Sequence, residues 1–211
     1  MCGYPLSQAS PQPVVLAAPV PSPPAYGSQP VYWTNLVARS DGPIKTIDDV
    51  FGKRMAFTTI DSQSGYQAVR AFFAPYAVKR GSPLFAAMVG PLVTPRRVIE
   101  AVLAGDADVG PVDSYAFDLL QRHEVQWLAP LRVIAATPAT WIPPLVGAPD
   151  LPADVARALR DALALVEDEP SLAGMREALL LRAFATATAS MYDSLGNAAE
   201  EASAMGYPRL A

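Results

Sequence analysis

Met55-Ala56-Phe57-Thr58-Thr59-Ile60-Asp61-Ser62-Gln63-Ser64-Gly65-Tyr66 is the stretch whose reading decides the fold. Residues 55–59 read as a short apolar strand. Beyond Tyr66 an amphipathic run continues through Ala68, Val69, Phe72 and Phe73. A strand that breaks on small hydroxyl residues and then enters a helix is the βα step of an α/β protein. The same break leaves the first helical N–H groups facing open space. There the dipole's positive end and the hydroxyls of Ser62 and Ser64 favour an anion. The plainer alternative is that one of the serines only caps the helix.

The pattern repeats on both sides. Tyr32 to Arg39 is rich in strand formers, and Ser40-Asp41-Gly42-Pro43 is a turn. Thr46 with Asp49 resembles a capping box, opening a short helix that Gly52 closes. Residues 84–89 and 108–112 read as further strands. Thr94-Pro95 starts a helix, with Thr as N-cap and Pro at its first position, and Gly105 stops it. A helix is expected from Tyr115 to Gln121 and a strand over 131–135. The chain from 151 onward reads as helical, over about 152–167, 172–183 and 191–204. Val14 to Ala18 reads as one buried strand, and the Pro19, Pro21, Pro23 and Pro24 segment after it as a loop. Together these elements predict a mostly parallel sheet with a helical C-terminal cap.

Composition narrows the function. The 211 residues are 51% hydrophobic and 17% charged, with a net charge of −4, which argues against a nucleic-acid surface built on charge. The single cysteine, Cys2, excludes an intramolecular disulfide, and one histidine, His123, excludes zinc sites of several His ligands. No metal or cofactor is expected. No apolar run is long enough to span a bilayer, and the N-terminus lacks a signal-peptide pattern.

Ligands of open α/β sheets bind beyond the carboxyl ends of the strands. Ser62, Gln63 and Ser64 follow one strand, Gly90 to Val93 the next, and Asp113, Ser114 and Tyr115 a third. Asp113 is either an acceptor for a ligand amine or hydroxyl, or another helix cap.

These pieces resemble substrate-binding proteins of ABC importers of the phosphate/phosphite/phosphonate type. The resemblance rests on Tyr32-Trp33-Thr34, Ile47 to Lys53, Asp61 to Tyr66, and Val98 through Asp113, and is clearest over residues 31–150. It implies a type II periplasmic-binding-protein-like α/β fold, with two α/β lobes, a hinge and a ligand in the cleft between them. The first lobe is expected to be incomplete at its N-terminus, as in a fragment, a misassigned start or a degenerate paralogue. Residues 1–38 are expected to form the remainder of lobe 1 and a crossing strand, 39–135 lobe 2, and 136–211 a return to lobe 1. By resemblance Ser62, Gln63 and Ser64 hold the oxyanion, Tyr32 walls the cleft and Asp113 takes the ligand's other polar end.

The family often has Gly-Ser-His where this chain has Gly90-Pro91-Leu92. The Leu92 side chain donates no hydrogen bond, which points to another small polar ligand, or to a weaker one. The expected role is that of a non-enzymatic, monomeric periplasmic receptor with a small anionic ligand, a membrane permease as partner and no nucleic acid. Three readings stand against it. One is an enzyme on the same fold acting on a small metabolite of the thiamine- or menaquinone-precursor type. Another is a regulator-type sensing module, and the last is a truncated paralogue that binds nothing.

Overall fold

The computed structural model describes residues 1–211. In chain order the elements are α1 (Gly3–Ser7), β1 (Val14–Pro21), β2 (Val31–Tyr32), β3 (Thr34–Arg39), β4 (Arg54–Ala56), α2 (Ala68–Arg80), β5 (Ala87–Val89), α3 (Pro95–Ala104), β6 (Val109–Asp113) and α4 (Ser114–His123). There follow β7 (Leu131–Ala136), β8 (Thr140–Trp141), β9 (Leu145–Gly147), α5 (Ala153–Ala164), α6 (Ala173–Ala178), β10 (Leu181–Ala185) and α7 (Asp193–Ala204).

The chain folds as two compact units, Met1–Tyr32 with Thr140–Gly196, and Trp33–Ala139 with Asn197–Ala211. These divisions differ from the expected boundaries at 38 and 135. β3 joins the second unit, and residues 197–211 return to that unit rather than staying with the first.

In the first unit a three-stranded antiparallel sheet runs β10-β1-β9, and β2 pairs antiparallel with β8. β1 extends through the Pro19-Val20-Pro21 segment expected to be a loop. Its partner β9 reaches only from Val14 to Ala17, so the prolines lie where just one side of the strand is paired and a missing N–H is tolerated. α5 packs on β1, and the Arg160 guanidinium donates to the Val15 carbonyl at 2.6 Å. The helix expected over 172–183 ends at Ala178. Leu180 turns the chain at a positive φ of 50°, and residues 181–185 pair with β1 as β10. Leu181-Arg182-Ala183 favours helix locally, and pairing with β1 overrides that preference.

The second unit has a five-stranded sheet in the order β5-β4-β6-β3-β7. β4 runs parallel to β5 and β6, but β3 is antiparallel to both β6 and β7. The sheet is therefore mixed rather than mostly parallel, with the crossing strand β3 entering against its neighbours.

Both faces of this sheet are covered, as the alternation of side chains requires. Leu36, Ala38, Met55 and Val109 pack with Val69 and Phe73 of α2 and with Ala202, Tyr207 and Leu210 of the C-terminal segment. Val37, Ala56 and Val112 pack with Val98, Ile99 and Val102 of α3. Gly110 lets α3 approach closely, because a Cβ there would stand 2.4 Å from Val98 Cγ1.

A buried arginine holds α2 to the C-terminal segment. Arg70 is 4% exposed, and its guanidinium donates to Ala199 O at 2.8 Å, and to Tyr207 O, Ser203 Oγ and Gln67 Oε1, each at 3.0 Å. All four acceptors are neutral. The carbonyls of Ala199 and Tyr207 flank the C-terminal end of α7, where the helix dipole favours a cation. Nearby, Leu210 N–H donates to the Tyr66 hydroxyl at 3.0 Å. Replacing Arg70 with Met should lower stability by about 3–5 kcal/mol, because several buried acceptors lose their donor at once. Arg70→Lys should recover only part of that loss, since an ammonium cannot span the same fork. Denaturant unfolding measures both.

Candidate oxyanion-binding rim

One end of the second unit's sheet gathers the segments expected to bind at residues 62–64, 90–93 and 113–114, together with others that the sequence did not single out. By strand order these are residues 90–93 after β5, 57–65 after β4, Asp113 and Ser114 at the end of β6, Trp33 and Thr34 at the start of β3, and Thr137 after β7. Hydrogen bonds stitch them together. Leu92 N–H donates to Phe57 O at 3.0 Å and Val93 N–H to Thr58 O at 3.1 Å. The Thr34 hydroxyl donates to Ser64 O at 2.9 Å. Thr34 N–H donates to the Thr137 hydroxyl, and Thr137 N–H returns to Thr34 O, both at 3.0 Å. Trp33 N–H donates to the Ser114 hydroxyl at 3.2 Å, and Ser114 N–H to Trp33 O at 2.8 Å.

The serine turn opens the helix in an unusual way. Residues 63–67 form a π-helical turn, with Gln67 N–H donating to Ser62 O at 3.0 Å, and α2 continues from it. Such wide turns recur at functional sites. Ser62 is the N-cap, and its oxygen accepts from Gly65 N–H at 3.0 Å. Capping uses only a lone pair of the hydroxyl, so its proton remains able to donate to an anion. The capping and anion-binding readings of Ser62 are thus compatible. Ser64 is half-buried in the next position but one, and the Gln63 side chain is buried beneath the turn. Gly65 is required by close approach, since a Cβ would lie 1.9 Å from Thr58 Oγ1. Thr58 Oγ1 is itself buried without a hydrogen-bond partner.

Asp113 caps α4, accepting from Ala116 N–H at 2.8 Å. Burial pushes its carboxyl above the usual carboxylate range, and the N–H of Ala116 only partly offsets this. Tyr32 lies in the first unit, 3% exposed and paired with Thr140. Leu92 packs against the apolar cluster beneath α3. Thr34 and Thr137, which with Ser114 fasten the rim, carry no signal in sequence beyond their small hydroxyl side chains.

A second concavity, of about 340 Å³, lies at the opposite end of the same sheet, beside Arg39, Lys53, Arg54 and Asp108. Its two guanidinium groups are each held side-on by a carboxylate, Arg39 by Asp41 and Arg54 by Asp108. Of the cations beside this concavity, both guanidinium groups are thus in ion pairs, and Lys53 is exposed.

These features describe a two-unit α/β protein whose candidate rim lies at the strand ends of one unit. A family model for the phosphonate ABC transporter periplasmic substrate-binding protein matches residues 1–192, and the chain belongs to that family. It is the solute-binding component of an ABC importer, with a small-molecule ligand and a permease partner, and the family is placed at the periplasmic face.

Among solved structures, it is similar to a binding-protein component of an ABC phosphonate transporter from Pseudomonas aeruginosa. That match has 18% identity and a TM-score of 0.82, over 98% of this chain and 68% of that one. PhnD1 from Prochlorococcus marinus, solved in complex with methylphosphonate, matches at 15% identity and TM-score 0.74, over 90% of this chain and 71% of the other. A Xanthomonas citri protein bound to ATP matches at 16% identity and TM-score 0.63, over 92% and 72%. At these identities the likeness carries the fold, which is that of the periplasmic binding proteins. No curated protein matches the chain in sequence.

Two outcomes follow from the rim's geometry. Gly65→Ala should displace the serine turn, lowering both the melting temperature and ligand affinity in a thermal-shift titration. Asp113 favours its protonated form in the folded state, so its contribution to stability falls as pH rises from the ordinary carboxylate value through the raised one. Asp113→Asn keeps a capping oxygen. Its melting temperature should therefore gain on the parent's as pH rises above the ordinary carboxylate range.

Proposed function

We propose that the chain binds a small oxyanion of the phosphate or phosphonate class at the serine turn, and that it does so as a monomeric, non-enzymatic receptor in the periplasm. The observation that carries this reading is the Ser62–Gly65 turn. It combines a helix opening, a capping serine with a proton to donate and a half-buried second serine. Neutral donors at a helix opening suit an anion without a neighbouring lysine or arginine. In this reading Ser62, Gln63 and Ser64 hold the oxygens, Asp113 accepts from the ligand's other polar end, and Tyr32 contributes an aromatic wall.

The rim segments carry no histidine or thiol to act as a nucleophile or general base, which supports binding over turnover. The acidic balance of the chain supports a small-molecule ligand over nucleic acid. Ser64→Ala should weaken methylphosphonate binding by about tenfold to a hundredfold, the worth of a hydrogen bond to a charged group. Isothermal calorimetry reads this directly. An unchanged dissociation constant would remove Ser64 from the site.

A further inference from the structure

Two of the chain's crossings between its units fall at Tyr32–Trp33 and at Ala139–Thr140. The hydrogen bonds of the rim hold both. Thr34 and Thr137 bond reciprocally, Thr34 N–H to the Thr137 hydroxyl and Thr137 N–H to Thr34 O. Trp33 and Ser114 form a similar pair, and Ser114 directly follows Asp113. This bracket reaches the serine turn through the Thr34 hydroxyl, which donates to Ser64 O at 2.9 Å.

Burial and strand formation do not by themselves call for a threonine here. Thr34 is 1% exposed, and valine fills nearly the same space and suits a strand as well. A buried hydroxyl needs a partner to offset its lost hydration, and Ser64 O is that partner. The carbonyl stands in a special place. Residues 63–67 form the π-helical turn, which steps i→i−5, and α2 then steps i→i−4. Such a changeover leaves a carbonyl without a donor from the helix. A donor from β3 at Ser64 O therefore supports the wide turn against tightening into ordinary α-helix.

We propose that Thr34 is a positioning residue that couples the serine turn to these two chain crossings. It is too deeply buried to touch a ligand and acts only through Ser64. Its hydroxyl holds Ser64 for capture, and a shift of Ser64 O on capture passes through Thr34 to Thr137. The ligand thereby selects one arrangement of the crossings through its contacts at the turn. The inference rests on the oxyanion reading of the serine turn.

The test follows amide chemical shifts in the parent, Thr34→Val and Thr34→Ser as methylphosphonate is added. In the parent, Thr34 and Thr137 should shift with the same midpoint as Ser64. Thr34→Val should bind about fivefold more weakly, the worth of one hydrogen bond. Its Ser64 and Gly65 amides should still titrate, while the Thr137 response is lost. Thr34→Ser keeps the hydroxyl and should restore both the affinity and the Thr137 response. A purely structural threonine would lower the melting temperature of Thr34→Val but leave Thr137 reporting the ligand, and that outcome overturns the inference. So does a parent in which Ser64 titrates and Thr137 does not, a result that needs no variant to fold. In both cases the oxyanion reading survives. Failure of phosphate and methylphosphonate alike to shift any amide of the parent overturns both.

Discussion

The second unit depends on a guanidinium buried without a carboxylate. Arg70 is held by carbonyls of the C-terminal segment, a serine hydroxyl and the Gln67 side chain. Removing a charge from water is expensive, and here the cost is met by several aligned dipoles rather than by one opposite charge. The arrangement fixes α2 against residues 199–207, and α2 is the helix whose opening turn carries Ser62 and Ser64. Tyr66 in that turn is fastened from the same side by Leu210 N–H. The chain's last residues therefore position the start of a helix far away in sequence.

This has an electrostatic consequence for the rim. Arg70 lies six residues beyond Ser64, roughly 9 Å along the helix at 1.5 Å per residue. The Arg70 guanidinium is turned toward Ala199, Ser203 and Tyr207 rather than toward the turn, so its charge reaches the turn only over a distance. Asp113 opposes it at the end of β6, but burial favours its neutral form. In the proposed reading, hydroxyls and N–H groups alone hold the anion. Such donors read the number and direction of oxygens more closely than a mobile ammonium would.

Local signals of helix and strand were legible in the sequence. The Thr46–Asp49 box, the Thr94 cap with Pro95, the Gly105 stop and the strand–serine–helix step all stand where residue chemistry puts them. What sequence hid was non-local. β10 is written in residues that favour helix and exists because β1 pairs with it. β1 runs through two prolines because β9 stops short of them. The antiparallel entry of β3 depends on where the chain crosses between units, which no local pattern records. At the site, Ser62 and Asp113 could be picked out by type and spacing, and the cap reading offered for each is what the structure shows. Nothing in the sequence around Arg70 separates it from a helix-surface arginine, because three of its acceptors lie 129 to 137 residues away.

The central claim is that the helix opening at Gln63–Tyr66 is the place where a phosphorus oxyanion lands. Amide chemical shifts recorded while methylphosphonate is added to the purified chain test it most directly. The account predicts saturable shifts that are largest at Gln63, Ser64, Gly65 and Tyr66, with smaller ones at Ser114 and Ala116 around the Asp113 cap. Saturable shifts confined to other segments, with the serine turn unmoved, would contradict it.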